Sequence, residues 1–260
     1  MFTPIKDSLS FIYFLKGAAF LLKNKKLFKY AIFQITIATI LLVIAFFFIF
    51  SNGIGWYDSL LGSWVAENSA WYLITLYYTF VLPFFLIIIV LSLFLIMILS
   101  AVINAPFNTL LSEKVEEVYT GKKFKSPLSF FGQIKHDVLY ELKKLLFFII
   151  LLIIPLPLWF IPVIGGAIYT VVSSIILMYT LTFDFLDYPM ERDMLDLKHR
   201  RMMILKRPGI WIGYGGIMFF IFLIPLLNIL VWPILITSGT LLYIDKLKIN
   251  NDEIEILPEK

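Results

Sequence analysis

Residues 145–183 read LLFFIILLIIPLPLWFIPVIGGAIYTVVSSIILMYTLTF and contain no charged residue. This stretch is about twice as long as the roughly 20 apolar residues that a helix needs to cross a membrane. Its middle is interrupted by Pro155, Pro157 and Pro162, and then by a Gly-Gly pair at 165–166. Because proline removes a helical hydrogen bond, the pattern predicts two helices joined by a turn, a helical hairpin.

The turn of this hairpin, residues 154–166, is entirely apolar. A turn that reached water would usually carry polar residues, so we expect the hairpin to stop inside the bilayer or at its far interface. Backbone groups at that depth need partners. The sequence therefore predicts that the half-penetrating turn packs against the long helices or a second subunit.

Three other stretches lack charge: residues 30–50, 69–112 and 209–244. The first two predict long transmembrane helices, the second of them long enough to tilt, project or kink at Pro83. The third is broken by Pro225 and Pro233 and predicts a second hairpin similar to the first. Paired, proline-interrupted segments are typical of transporter sites.

The predicted fold class is an all-α integral membrane protein with two long transmembrane helices, two proline-broken, half-penetrating hairpins and an interfacial N-terminal helix. A short buried helix of the bundle is the alternative for that N-terminal segment, in which Thr3 and Pro4 resemble a helix start. We expect a single helical membrane domain over residues 1–260. Its parts are the interfacial helix 4–23, the long transmembrane helices 27–50 and 70–119, the hairpins with cytoplasmic arms 127–183 and 205–245, and the tail 246–260.

Composition excludes several classes of protein. Hydrophobic residues make up 60% of the chain and charged residues 15%, well below the roughly 25% of a soluble domain. The chain has no cysteine, which rules out disulfides, thiolate metal sites and cysteine nucleophiles. The net charge of +4 is modest for a nucleic-acid binder. Basic residues flanking apolar stretches instead indicate contact with membrane lipid.

The lysines and arginines also predict the topology. Six lysines precede the first apolar stretch, whereas the loop 51–69 has none. The positive-inside bias therefore places the N-terminus in the cytoplasm and this loop outside. Residues 113–144 and 184–208 are rich in basic residues and are predicted to be cytoplasmic, as is the C-terminus. The N-terminal segment lacks a signal-peptide cleavage pattern and is expected to stay in the mature chain.

Several short motifs occur in order along the chain: Ala105-Pro106-Phe107-Asn108, Glu113-Lys114-Val115-Glu116, Asp187-Tyr188-Pro189-Met190-Glu191, Gly213-Tyr214-Gly215-Gly216 and Ile224-Pro225-Leu226-Leu227-Asn228. They resemble the motifs of CysZ-type proteins, the bacterial members of the etoposide-induced-protein superfamily. The resemblance implies a homo-oligomeric protein of the bacterial inner membrane that takes up sulfate for cysteine synthesis without ATP hydrolysis. It also implies a sulfate site at a Gly-Leu-Arg motif near the first long helix.

The chain departs from the Gly-Leu-Arg motif. Lys26 stands at the glycine position, and the arginine position falls on Phe28 or Lys29. Lysine attracts sulfate as a point charge but lacks the bidentate fork of arginine. Lys25, Lys26 and Lys29 are the candidate anion-binding residues; the alternative is a cluster that fixes topology and contacts anionic lipid.

Asn104, Asn108 and Asn228 are candidate pore residues, with helix-to-helix hydrogen bonding as the alternative role. The acidic residues between 184 and 196 alternate with basic ones, which predicts a solvated cytoplasmic helix held by ion pairs rather than a metal site. We predict no catalytic residue, no cofactor and no enzyme activity, since hydrolase and phosphate-binding motifs are absent.

Three hypotheses follow. The first is a permease or channel for sulfate or a related oxyanion. The second is a membrane scaffold or assembly factor that keeps the fold without conducting, and the lost glycine and arginine favour it. The third is a lipid-handling protein that uses a cleft between the hairpins.

Overall fold

The computed structural model describes residues 7–62, 70–122, 130–193, 195–224 and 227–248, and these are almost entirely helical. The predicted start at Thr3 and Pro4, the tail after Lys248 and Pro225 of the second turn lie outside them. In chain order the α-helices are α1 (Ile12–Lys23), α2 (Lys25–Leu61), α3 (Trp71–Thr120), α4 (Phe130–Ile153), α5 (Gly165–Arg192), α6 (Leu197–Leu205), α7 (Pro208–Phe222) and α8 (Leu227–Leu242). A 3₁₀ turn, Leu9–Phe11, precedes α1, and a π-helical turn, Tyr243–Lys248, ends the described chain.

Among the described residues, five segments are long and apolar enough to cross a membrane: Lys25–Leu60, Trp71–Thr120, Val138–Phe160, Gly165–Arg192 and Leu227–Lys248. Helix α3 continues without interruption through Pro83 and Pro106 for 50 residues. The prediction of an all-α membrane protein with two long helices is confirmed at this level. The depth of the hairpins and the interfacial position of the N-terminal helix stay predictions.

The chain forms two compact units, one of residues Thr36–Ile103 and the other of the residues on either side. The smaller unit pairs the second half of α2 with the first half of α3. Tyr57 is buried there, and its hydroxyl donates to the carbonyl oxygen of Tyr77. The Tyr77 hydroxyl in turn donates to Asp58. The ring of Phe85 packs against Gly53, where an added Cβ would lie 2.6 Å from the ring.

The larger unit has its core around α5. At Gly215 of α7 an added Cβ would collide with the carbonyl oxygen of Met178, and at Gly239 of α8 it would lie 2.5 Å from the carbonyl oxygen of Phe185. Small residues thus let both helices approach α5 closely, as is common between membrane helices. The buried Tyr214 hydroxyl adds a hydrogen bond of 2.8 Å to the Leu235 carbonyl, which ties α7 to α8.

Helix α1 packs on α8 through Gly17, where an added Cβ would lie 2.5 Å from the Ser238 Cβ. Lys16 donates to Asp245 in the π-helical turn and, over 3.2 Å, to the Tyr119 hydroxyl. Partial burial disfavours the charge on Lys16, but these two partners outweigh it and raise its pKa. The opposite face of α1 exposes apolar side chains, so α1 is buried on one side only.

The first hairpin turn satisfies much of its own backbone. The N–H groups of Leu158, Ile161, Ile164 and Gly165 donate to carbonyl oxygens within the turn over 2.8 to 3.2 Å. Val163 is fully exposed and has a positive φ of 68°. We expected the backbone groups of the turn to need partners from neighbouring protein. For these four N–H groups the expectation was wrong, because they bond to carbonyl oxygens of the turn itself.

Candidate functional site

The lysines predicted to bind an anion lie at the start of α2. Lys29 follows Lys26 by three residues and Lys25 by four, which makes it a neighbour of both on the helix surface. All three are exposed, and within the described ranges none forms an ion pair. The Lys29 ammonium lies 5.0 Å from the centroid of the Tyr30 ring. These positive charges are therefore accessible to an anion.

The backbone at the start of α2 carries a partial positive charge, the same sign as the charge of the lysines. Asn24 separates α1 from α2, and its carbonyl oxygen accepts from the Leu27 N–H over 2.8 Å. Leu27 is only 1% exposed and anchors the first turn of α2 in the core. The first N–H groups of a helix carry partial positive charge, which favours an anion beside them. The lysines thus add full charges to a helix end that already attracts anions.

Two of the three candidate asparagines lie in a buried amide group. Asn104 and Asn108 of α3 are 5% and 0% exposed. The Asn108 carbonyl oxygen accepts from Gln34 over 3.1 Å, and its amide nitrogen donates to the Tyr188 hydroxyl over 2.9 Å. The side-chain oxygens of Gln34 and Asn104 have no hydrogen-bond partner among the described residues. Asn108 thus joins α2, α3 and α5.

Asn228, the third asparagine, lies elsewhere, in the first turn of α8. It is 5% exposed and therefore buried like the other two. No hydrogen bond between described residues connects the three lysines to the amide group. The structure therefore brings Asn104 and Asn108 onto one face of α3, while Asn228 lies on α8.

A buried ion group lies close to the amide group and was missed by sequence reasoning. Lys144 of α4 lies 2.8 Å from the Glu141 carboxylate and 2.6 Å from that of Asp184 on α5. Its ammonium is also 4.6 Å from the ring centroid of Tyr188, the residue bonded to Asn108. The side chains of Lys144 and Glu141 are 2% and 3% exposed. The cation is thus already neutralised by protein carboxylates.

A second buried ion pair follows on the next turn of α5. Arg200 of α6 donates to the Asp187 carboxylate over 2.7 Å, and the Asp187 side chain is 1% exposed. The Tyr140 hydroxyl donates to the same carboxylate oxygen over 3.2 Å and accepts from Arg200 over 2.9 Å. Asp187 therefore ties α5 to both α4 and α6.

A third group joins α3 to the end of the chain. Glu116 is fully buried and accepts from Arg192 of α5 and, over 2.8 Å, from Lys248 of the π-helical turn. Lys248 also donates to Asp193 over 3.0 Å. We predicted a solvated, ion-paired helix for residues 184–201. The ion pairs are present. Placement in solvent was wrong for Asp187 and Arg200, which pair across helices inside the protein, whereas Asp196 and Lys198 are exposed.

One signal in the sequence does point to the Lys144 group. Lys144 comes directly before the charge-free stretch 145–183, and Asp184 comes directly after it. Two antiparallel arms of a hairpin bring such residues to the same depth, so opposite charges at both ends of the stretch predict an ion pair. We also predicted that the acidic residues between 184 and 196 form no metal site. Within the described ranges, no three side chains of His, Asp or Glu lie close enough together to hold a metal ion.

Comparison with known proteins identifies the family of this chain. The family described as sulfate transporter CysZ/etoposide-induced protein 2.4 matches residues 13–233, which is most of the chain. The chain belongs to this family. The match includes the three lysines, the amide group and the ion pairs of Lys144 and Asp187, whereas Lys248 lies beyond it.

Individual relatives are similar over most of their length. The chain is 27% identical to the sulfate transporter CysZ of Vibrio parahaemolyticus over 242 residues, which cover 92% of this chain and 95% of the relative. It is 28% identical to that of Vibrio atlanticus over 217 residues, which cover 82% and 83%. The sulfate transporter CysZ of Pseudomonas aeruginosa PAO1 is 27% identical over 164 residues, covering 62% and 66%.

Membership in this family and the apolar helices identify a multi-pass membrane protein, and they favour a transporter over an enzyme. The relatives support a role in sulfate transport. The sequence-based recognition of the CysZ family is confirmed.

Proposed function

We propose that this protein is a permease of the bacterial inner membrane for sulfate or a closely related oxyanion, working without ATP hydrolysis and supplying sulfur for cysteine synthesis. The observation that carries the proposal is the family match over residues 13–233, whose relatives bear the name of sulfate transporters. In this proposal both termini are cytoplasmic, and the protein works as a homo-oligomer in contact with membrane lipid.

The accessible lysines support a role in binding the anion. Lys25, Lys26 and Lys29 are exposed and have no carboxylate partner among the residues described, at a helix start that itself favours anions. A dianion such as sulfate would be attracted by three nearby cations without first breaking an ion pair. We assign these lysines to the cytoplasmic mouth of the path, and Asn104, Asn108 and Asn228 to polar positions along it.

The test is uptake of radioactive sulfate into liposomes that contain the purified protein. We expect uptake above protein-free liposomes, and a reduction of about fivefold or more in the variant K25Q/K26Q/K29Q, since several cations act on one dianion. The matched control is K122Q/K198Q/K206Q, which removes the same charge from three other exposed lysines. Equal losses in both triple variants would remove the cluster from the mechanism.

A second candidate function is a non-conducting scaffold or assembly factor. The replaced glycine and arginine of the anion motif, at Lys26 and at Phe28 or Lys29, favour it. Absence of uptake of sulfate, thiosulfate and molybdate in liposomes with correctly folded protein would support this candidate and contradict the permease. Dependence of another membrane complex on the protein would then be the next measurement. Exchange of lipid between vesicles would instead support the lipid-handling hypothesis.

A further inference from the structure

The four arginines of the chain differ in one respect. Three of them donate to an acceptor inside the protein: Arg192 to Glu116, Arg200 to Asp187, and Arg207 to the carbonyl oxygen of Lys246 over 2.6 Å. The fourth, Arg201, makes no side-chain hydrogen bond or ion pair with any residue in the described ranges.

Arg201 is nevertheless held firmly. The central carbon of its guanidinium lies 3.7 Å from the centroid of the Phe147 ring on α4. Its Nε atom is buried without an acceptor in the part of the chain that the structure describes. The backbone of the same residue accepts from the Tyr179 hydroxyl over 3.4 Å. The ring of Phe147 therefore holds the guanidinium against α4, and the guanidinium has no hydrogen-bond acceptor among the described residues.

A guanidinium in this setting is suited to bind an oxyanion. Its contact with an aromatic ring is favourable and holds the planar group in one orientation. The N–H groups of a fixed guanidinium present a fork that matches two oxygens of a tetrahedral anion. The Nε atom is itself covered by protein, so an oxyanion would be received by the terminal N–H groups of the guanidinium, which have no acceptor among the described residues. An exposed lysine has neither the fork nor the fixed orientation.

Exposed apolar side chains occur on the two helices that carry Arg201 and Phe147. Leu142 and Leu146 of α4 are 47% and 59% exposed, and Met202 and Leu205 of α6 are 41% and 52% exposed. α4 and α6 are also the two helices that place Phe147 and Arg201. A cation beside exposed apolar side chains fits a ligand that has an anionic head and an apolar body, as well as a small anion.

The geometry points to a binding site for a tetrahedral oxyanion at Arg201, built by Arg201 and Phe147 and separate from the lysine cluster. Its ligand is a sulfate or phosphate group, either as the free ion or as the phosphate of a phospholipid headgroup. The site does not depend on whether the protein conducts, because it is a statement about binding only.

The experiment measures binding by the full chain purified in detergent, so its outcome is independent of flux. One arm measures binding of radioactive sulfate to protein stripped of lipid. The other measures retention of phosphatidylglycerol by native mass spectrometry. The variants are R201Q, which removes the charge, R201K, which keeps the charge without the fork, and F147L, which keeps the arginine without its aromatic support. K206Q is the matched control, since Lys206 is an exposed cation at the end of the same helix.

We expect R201Q to weaken binding about tenfold or more in at least one arm. The affinities of R201K and F147L should lie between those of R201Q and the parent protein. K206Q should bind as tightly as the parent. Loss in the lipid arm alone assigns the site to a headgroup phosphate, and loss in the sulfate arm alone assigns it to the free ion. Parental binding by R201Q in both arms, or an equal loss in K206Q, would overturn the proposal. Should R201Q fail to fold, F147L and R201K decide in the same way.

Discussion

The lysines at the start of α2 and Lys144 on α4 are the same residue type in opposite situations. Lys25, Lys26 and Lys29 are exposed and have no carboxylate partner within the described residues, whereas Lys144 lies within 2.8 Å of two carboxylates and is 2% exposed. An unpaired, hydrated cation can receive an anion. A buried, neutralised cation instead joins two helices. Charge alone therefore does not identify the anion site; accessibility and existing partners do.

The largest effect should come from breaking the buried group. In the variant K144M, Glu141 and Asp184 would be left without their shared cation, and the free energy of unfolding should fall by about 3 to 5 kcal/mol. The measurement is unfolding of the purified protein by increasing mole fractions of a denaturing detergent.

The control for this variant is K143M, which changes the adjacent exposed lysine and should leave stability within about 0.5 kcal/mol of the parent. Equal stability of K144M and K143M would mean that the ion group contributes nothing to the fold. In that case Lys144 would become a candidate for a mobile, functional charge.

A smaller effect is expected at the neighbouring ion pair. The variant D187N keeps the shape of the side chain but removes the charge that accepts from Arg200, which should cost about 1.5 to 3 kcal/mol of unfolding free energy. The same detergent unfolding measures it. Y140F removes only the hydroxyl that donates to Asp187 over 3.2 Å, and it should cost about 1 kcal/mol. A larger loss in Y140F than in D187N would contradict this ranking.

The smallest effect on stability should come from the exposed cluster. Removal of three charges in K25Q/K26Q/K29Q should change the unfolding free energy by no more than about 0.5 kcal/mol, because the side chains have no partner to lose among the described residues. Circular dichroism during detergent unfolding checks this. A loss of several kcal/mol would show that the lysines have a structural role, and a flux defect in the same variant could no longer be assigned to anion binding.

Several features of the fold could be predicted from local sequence. The hairpin turn after Ile153 follows from three prolines and two glycines in twelve residues, and α2 and α3 follow from long charge-free stretches. Those signals are local, because a proline breaks a helix and a charge is excluded from hydrocarbon regardless of the rest of the chain. The exposure of Lys25 agrees with its place outside an apolar stretch.

The buried polar network was not predictable to the same extent. The alternating charges around Asp187 suggested a solvated helix, yet Asp187 is completely buried and bonded to residues of α4 and α6. Asn108 similarly gave no hint that its partners are Gln34 and Tyr188, 74 and 80 residues away along the chain. Such contacts depend on which faces of distant helices meet.

The sequence by itself determined a helical membrane protein of the CysZ family, with two long helices, a proline-built turn and a cluster of lysines outside the apolar stretches, because apolar length, proline and charge act locally. Only the tertiary structure decided which charges are neutralised: Lys144 by Asp184, Arg200 by Asp187, and Arg201 by no residue that the structure describes. Arg200 and Arg201 are adjacent in the sequence and have the same chemistry. Their interactions differ because helix packing brings the Asp187 carboxylate to Arg200 and the ring of Phe147 to Arg201.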